Sequence, residues 1–149
     1  MAIRLALVPD LKTARALQLV ARSLGRLGRE RARAGDITPQ QAEALALIAE
    51  RGAMSTTTLA IMLGIDPSTA SRNLAGLERA GFVVRKRGAE DGRQTDVRLT
   101  PRGKRTAEAV CTEWTFAYST LLERLPRPER QRVADALELL ARVLDGRGV

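Results

Sequence analysis

Ser68, Thr69, Ser71, Arg72 and Asn73 crowd hydroxyl, guanidinium and amide groups into one short stretch of the chain. Small hydroxyl side chains let a helix approach a nucleic-acid groove closely. Arginine pairs with a guanine edge or a phosphate, and hydroxyls reach phosphates and base edges. A helix N-terminus beginning near Asp66 adds its own attraction for a phosphate. Farther on come Arg85, Lys86, Arg87, Arg93 and Arg98. Arg93 borders the loop Gly88-Ala89-Glu90-Asp91-Gly92, and an arginine at such a tip fits a narrow minor groove. Asp91 cannot face a phosphate favourably by itself, so its better use is to pair with Arg93 and hold its orientation. A polar helix face or a charged hairpin taken singly is an ordinary solvated surface. Together, with a capped tight turn before the helix, they point to DNA.

The rest of the composition removes competing chemistries. The chain has 149 residues and a formal net charge of +8, from 25 Lys and Arg against 17 Asp and Glu. That excess points to an anionic partner. Histidine is absent. This excludes a histidine general base, a Ser-His-Asp or Cys-His site and any histidine-ligated metal. The single cysteine, Cys111, permits neither an intrachain disulfide nor a Cys-rich zinc site, and fits a reducing, cytoplasmic setting. With no glycine-rich phosphate loop either, an enzyme is the reading least supported, and no cofactor or metal is expected. No run approaches a membrane span, and the apolar part of the first ten residues is too short for a secretory signal. The charge is also uneven. Residues 66–105 carry a net +5, whereas residues 106–149 carry −1. One surface is thus suited to a polyanion and another to protein contacts.

The elements that must position these groups can be read from periodicity and punctuation. Residues 11–34 read as a helix with Leu17, Val20, Leu24 and Leu27 on one face. Arg15, Arg22, Arg26, Arg29 and Arg33 lie on the other, as a solvated stripe. Thr38-Pro39-Gln40-Gln41 is a capping box with proline first inside, followed by an apolar stripe at Ala42, Leu45, Ala46 and Ala49 and a stop at Gly52. A short helix begins near Ser55 and stops at a left-handed Gly64. Asp66-Pro67 then starts the next one, with Ala70, Leu74 and Leu77 inward. Two helices joined by so tight a turn have helix-turn-helix spacing. Phe82-Val83-Val84 and Thr95–Thr100, with Val97 and Leu99 alternating against Asp96 and Arg98, make a hairpin. Thr100-Pro101 caps a helix carrying Val110, Trp114, Ala117 or Tyr118, and Leu121. After the break at Leu125-Pro126-Arg127-Pro128, a last helix at about 128–145 carries Val133, Leu137, Leu140 and Leu144. The expected fold is a single chain, mainly α with a small β-hairpin: a winged helix-turn-helix lobe at 36–100 flanked by helical regions at 1–35 and 101–149.

Four segments together resemble the MarR family (multiple antibiotic resistance regulators). They are Asp66-Pro67-Ser68-Thr69-Ala70-Ser71-Arg72-Asn73-Leu74, Leu77-Glu78-Arg79-Ala80-Gly81-Phe82-Val83, Glu90-Asp91-Gly92-Arg93 and Val97-Arg98-Leu99-Thr100-Pro101-Arg102-Gly103. The resemblance is dense over about 36–105, and the flanking helices match in length and order. It implies a homodimer built from the N- and C-terminal helices, with Leu17, Val20, Leu24, Val133, Leu137, Leu140 and Leu144 as the dimerisation residues. It further implies a repressor of a pseudopalindromic double-stranded operator. Ser68, Thr69, Ser71 and Arg72 would then read the major groove, with Arg93 in the minor groove oriented by Asp91.

Two further expectations concern the fifth helix. Cys111 shares a face with Trp114 and Tyr118, so it reads as a buried apolar cysteine rather than a redox sensor. Trp114, Phe116 and Tyr118 read first as core or dimer packing and second as the lining of a small-molecule effector pocket. The alternative to a sequence-specific regulator is a non-specific or architectural DNA-binding protein.

Overall fold

The computed structural model describes residues 11–32, 36–87, 95–144 and 146. Among these residues six helices and three strands follow one another as α1 (Leu11–Arg31), α2 (Pro39–Arg51), β1 (Met54–Ser55), α3 (Thr56–Leu63), α4 (Pro67–Arg79), β2 (Val83–Arg87), β3 (Thr95–Leu99), α5 (Pro101–Glu123) and α6 (Arg127–Leu144).

Local chemistry explains where the helices begin. At α2 the Thr38 hydroxyl accepts from the Gln41 amide at 3.2 Å, while the Gln41 side chain accepts from the Thr38 amide at 2.9 Å. Two otherwise unpaired donors are thereby satisfied. Ser55 caps α3 by accepting from the Thr58 amide at 3.0 Å. Asp66 caps α4 by accepting from the Ser68 amide at 2.7 Å. Gly64, at φ 62°, makes the turn between α3 and α4. There the Ile65 amide reaches back to the Ala60 carbonyl at 3.0 Å, a geometry that a side chain at Gly64 would strain.

The sheet is three-stranded and antiparallel, in the order β1-β3-β2, rather than the expected two-stranded hairpin. The additional strand is two residues long, pairing Met54 with Val97 and Ser55 with Asp96. In β2 and β3, Val83 opposes Leu99, Arg85 opposes Val97 and Arg87 opposes Thr95. The pleat therefore turns Val83, Arg85, Val97 and Met54 to one face, and Val84, Lys86, Asp96 and Arg98 to the other.

The core forms where α2, α3, α4 and the inner sheet face meet. Leu45, Leu59, Leu74, Leu77, Val83 and Val97 are fully buried there. Each such side chain contributes about 1.5–3 kcal/mol through removal from water. The buried face of α2 is wider than the expected stripe: Ala42, Ala44, Leu45 and Ile48 are inside, whereas Ala49 is exposed. Neighbours on more than one side of α2, namely α1, α3, α4 and β3, account for the difference. A smaller cluster joins Ala32, Ala42 and Val110 with Trp114, whose indole donates to the Gly28 carbonyl at 2.9 Å.

By its internal contacts the chain divides into a unit up to Trp114 and a second from Thr115 onward. In the first, α1 has no buried side chain; Leu17, Leu19 and Val20 are exposed, and Leu24 is half-buried. Arg15, Arg22, Arg26 and Arg29 are exposed as expected of a wet stripe, and Arg33 lies outside the described residues. In the second unit, α6 also has no buried side chain: Val133 is half-buried, and Leu137, Leu140 and Leu144 are exposed. No described helix is long and apolar enough to cross a membrane.

Candidate nucleic-acid interface

Three sides of α4 have different surroundings. Ala70, Leu74 and Leu77 face the core. A second side meets α2, where the Asn73 side-chain amide donates to the Gln40 carbonyl oxygen at 3.1 Å. Asn73 was expected among the groove-facing residues; here it ties α4 to α2, because it lies one turn beyond Thr69 along the side that meets that helix. Ser68, Ser71 and Arg72, at i, i+3 and i+4, form the exposed side. Arg72 donates to the half-buried Thr69 hydroxyl at 3.2 Å, which steadies a long side chain otherwise free in solvent.

The N-terminus of α4 is occupied from within. Asp66 accepts from the Ser68 amide and also from the Ser68 hydroxyl. These bonds hold its carboxyl below the usual carboxylate range, the Ser68 side-chain bond having the largest effect. The expected attraction of this terminus for a phosphate is thus met by the chain's own carboxylate. An anion there would have to displace or approach a negative charge.

The wing's cations are not equivalent. Arg85 lies on the inner sheet face and pairs with Glu78 of α4 at 3.2 Å, bracing the wing against the helix. Lys86 and Arg98 are exposed on the outer face, with Lys86 directly opposite Asp96. The alternation along β2 that sends Val83 into the core sends Arg85 the same way. Arg87 ends β2 opposite Thr95. Asp91 and Arg93, expected at the wing tip, lie outside the described residues.

Residues just past the wing fix its root, and the sequence pattern alone did not single them out for that role. The Thr100 hydroxyl donates to the Gly81 carbonyl at 2.7 Å and accepts from the Gly103 amide at 3.0 Å. Arg102 donates to the Ala80 carbonyl at 2.7 Å, and its guanidinium lies 4.4 Å from the centre of the Phe82 ring. Thr100, Arg102 and Gly103 thus clamp the turn between α4 and β2. The signal was the Thr-Pro-Arg-Gly run, legible as a helix start but not as a clamp.

Cys111 is exposed, not buried as expected. Val110 takes the inward position of that turn, leaving Cys111 one residue around the helix beside α2. Partial burial, and secondarily the Glu50 carboxylate, push its thiol above the ordinary value. The thiolate fraction at neutral pH is therefore lower than for a free cysteine. Iodoacetamide at pH 7.5 is expected to alkylate Cys111 several-fold more slowly in the folded chain than in urea. Equal rates, followed by mass spectrometry, would contradict that environment. Among the described residues no cluster of side chains is arranged to hold a metal ion.

Comparison with known proteins agrees with this geometry. The model of the MarR family matches residues 37–95, which span the helix-turn-helix and most of the wing. An uncharacterized HTH-type transcriptional regulator of Mycobacterium bovis is 31% identical over 136 residues, covering 91% of this chain and 95% of the relative. A MarR family protein from Bacillus stearothermophilus superposes with a TM-score of 0.77 at 25% identity, over 90% of this chain and 94% of that one. A MarR family transcriptional regulator from Listeria monocytogenes, solved in complex with a 26mer DNA, superposes with a TM-score of 0.70 at 21% identity, over 92% of this chain and 90% of the other. With a relative matched at this identity along nearly its whole length, the chain belongs to the MarR family of helix-turn-helix transcriptional regulators, whose members are regulators rather than enzymes.

Proposed function

We propose that the chain is a homodimeric repressor that binds a pseudopalindromic double-stranded operator in the cytoplasm and is released by a small-molecule effector. The observation that carries this reading is the exposed side of α4, where Ser68, Ser71 and Arg72 stand together while the opposite side is locked in the core. Residues 36–100 form the DNA-binding lobe in this reading, and 1–35 with 101–149 the dimerisation region. Ser68, Thr69, Ser71 and Arg72 enter the major groove, with Asn73 positioning them through α2. Arg93 enters the minor groove with Asp91 orienting it, while Lys86, Arg87 and Arg98 face the backbone. The DNA bound in the Listeria relative supports the choice of ligand.

Dimerisation is assigned to apolar residues of α1 and α6 that are exposed or half-buried in the single chain, including Leu17, Val20, Leu24, Val133, Leu137, Leu140 and Leu144. Two half-sites on one duplex require two α4 helices held at a fixed spacing. The full chain is expected to sediment as a dimer. The double variant Leu137→Glu with Leu140→Glu is expected to be a folded monomer, because neither residue is buried within the single chain. Its operator affinity should fall by more than tenfold. A variant that stays dimeric would overturn the assigned role of α6.

A further inference from the structure

Thr69, Asn73 and Gly76 fall at i, i+4 and i+7 along α4, so they share one side of that helix, and all three are half-buried. The first turn of α2 grips this side at two points. Gln40 accepts from the Asn73 side-chain amide at 3.1 Å. Gln41 lies against Gly76, where an added Cβ would stand 2.8 Å from its Nε2 atom. Glycine is a poor residue for a helix interior, and at position 76 it leaves room for that amide. The amide is itself pinned, since its oxygen accepts from the Thr38 backbone at 2.9 Å. Helix α2 in turn is anchored through the buried Ala42, Leu45 and Ile48. Its first turn is therefore a fixed rest against which α4 is set.

The ties of Glu78 to Arg85 and of Ala80 to Arg102 hold the C-terminal end of α4. Gln40 holds the half that carries Ser71 and Arg72, and the Arg72 guanidinium rests on Thr69, on the gripped side. Rolling a helix by about 10° moves a side-chain tip ~5–6 Å from its axis by about 1 Å. Hydrogen-bond lengths to a base edge span only about 0.5 Å. A small roll therefore spoils base readout, whereas attraction to phosphates falls gently with distance. We infer that Gln40 is a positioning residue for sequence discrimination: through Asn73 it sets the roll of α4 that aims Ser71 and Arg72, and touches no DNA itself. The inference rests on the groove-reading role given to α4 above and adds to it a residue outside that helix.

Gln40→Met keeps the length of the side chain and removes its amide acceptor. The full-length parent and variants are compared, at fixed ionic strength, on the duplex that the parent enriches from random DNA and on an unrelated duplex of the same length. The ratio of the two affinities is independent of any inactive fraction, so a loss of folded protein does not move it. Gln40→Met is expected to lower that ratio about fivefold, the size of one net hydrogen bond, with affinity for the unrelated duplex within about twofold of the parent. Asn73→Ala should lower the ratio at least as much, and the Gln40→Met with Asn73→Ala double variant no further than Asn73→Ala alone. An unchanged ratio for Gln40→Met would overturn the proposal. So would an equal loss on both duplexes, which makes Gln40 a phosphate contact, or a double variant that loses the product of the two single effects. A parent that enriches no duplex defeats the groove reading itself, and this inference with it. A parent that discriminates, beside a Gln40→Met variant that discriminates equally well, defeats this inference alone.

Discussion

Replacing Gly103 by alanine is expected to destabilise the protein by about 3 kcal/mol, at the upper end of overpacking costs. A Cβ built on Gly103 would stand 1.9 Å from the Phe82 carbonyl oxygen and 2.9 Å from its carbonyl carbon. Both are backbone atoms, so no rotamer change relieves the overlap. Either the first turn of α5 or the turn after α4 must move. That movement loosens the Thr100 amide bond to Phe82 at 3.0 Å and the Arg102 bond to Ala80 at 2.7 Å. Each such bond is worth about 1 kcal/mol net. In an ordinary helix the change would be favourable by up to about 1 kcal/mol, so the sign itself is diagnostic. Gly25 in α1 is the control: its nearest neighbour is the movable end of Arg29 at 3.3 Å, and Gly25→Ala should be neutral or mildly stabilising. Thermal melts should show a fall of roughly 6–12 °C for Gly103→Ala and little change for Gly25→Ala. Equal melting temperatures for Gly103→Ala and the parent would show that α5 does not pack on the wing root in this way.

Replacing Arg72 by alanine is expected to leave the melting temperature within about 1 °C, since the side chain is exposed and, among the described residues, makes one hydrogen bond, to Thr69. Its effect should appear in DNA binding. If Arg72 pairs with a guanine edge, its loss costs about 1–3 kcal/mol on the operator, a five- to 150-fold weakening, and relaxes preference at one base pair. The same protein on unrelated duplex should lose much less. An equal loss on every sequence, with a shallower salt dependence, would make Arg72 a phosphate contact instead. The comparison requires competition between operator and unrelated duplex at a fixed ionic strength, because phosphate contacts dominate the raw affinity.

Much of the fold was legible because its punctuation is local. Thr38 with Gln41, Ser55, Gly64 and Asp66-Pro67 each act within a few residues, and each sits at the helix boundary that its chemistry predicts. The inner face of α4 followed from the spacing of Ala70, Leu74 and Leu77 for the same reason. What was missed depends on distant partners. A strand of two residues has no periodicity of its own, and β1 exists because Met54 meets Val97. Arg85 looked like one more wing cation until the pleat placed it against Glu78. Asn73 looked like a groove residue, yet its partner is Gln40, far earlier in the chain. Cys111 shows a limit of helical periodicity, since adjacent positions on a partly buried helix, Val110 and Cys111, differ sharply in exposure. The clamp of Thr100, Arg102 and Gly103 satisfies carbonyls of the turn at Ala80–Phe82, which no helix-start rule anticipates.

Selection of binding sites for the full-length protein from random duplex DNA, at about 0.15 M salt where long-range attraction is screened, tests the central claim most directly. The account predicts enrichment of an inverted repeat whose half-sites lie one helical turn, about 10 base pairs, apart. Binding that falls steeply with salt yet enriches no sequence would contradict it and identify a non-specific, architectural DNA-binding protein.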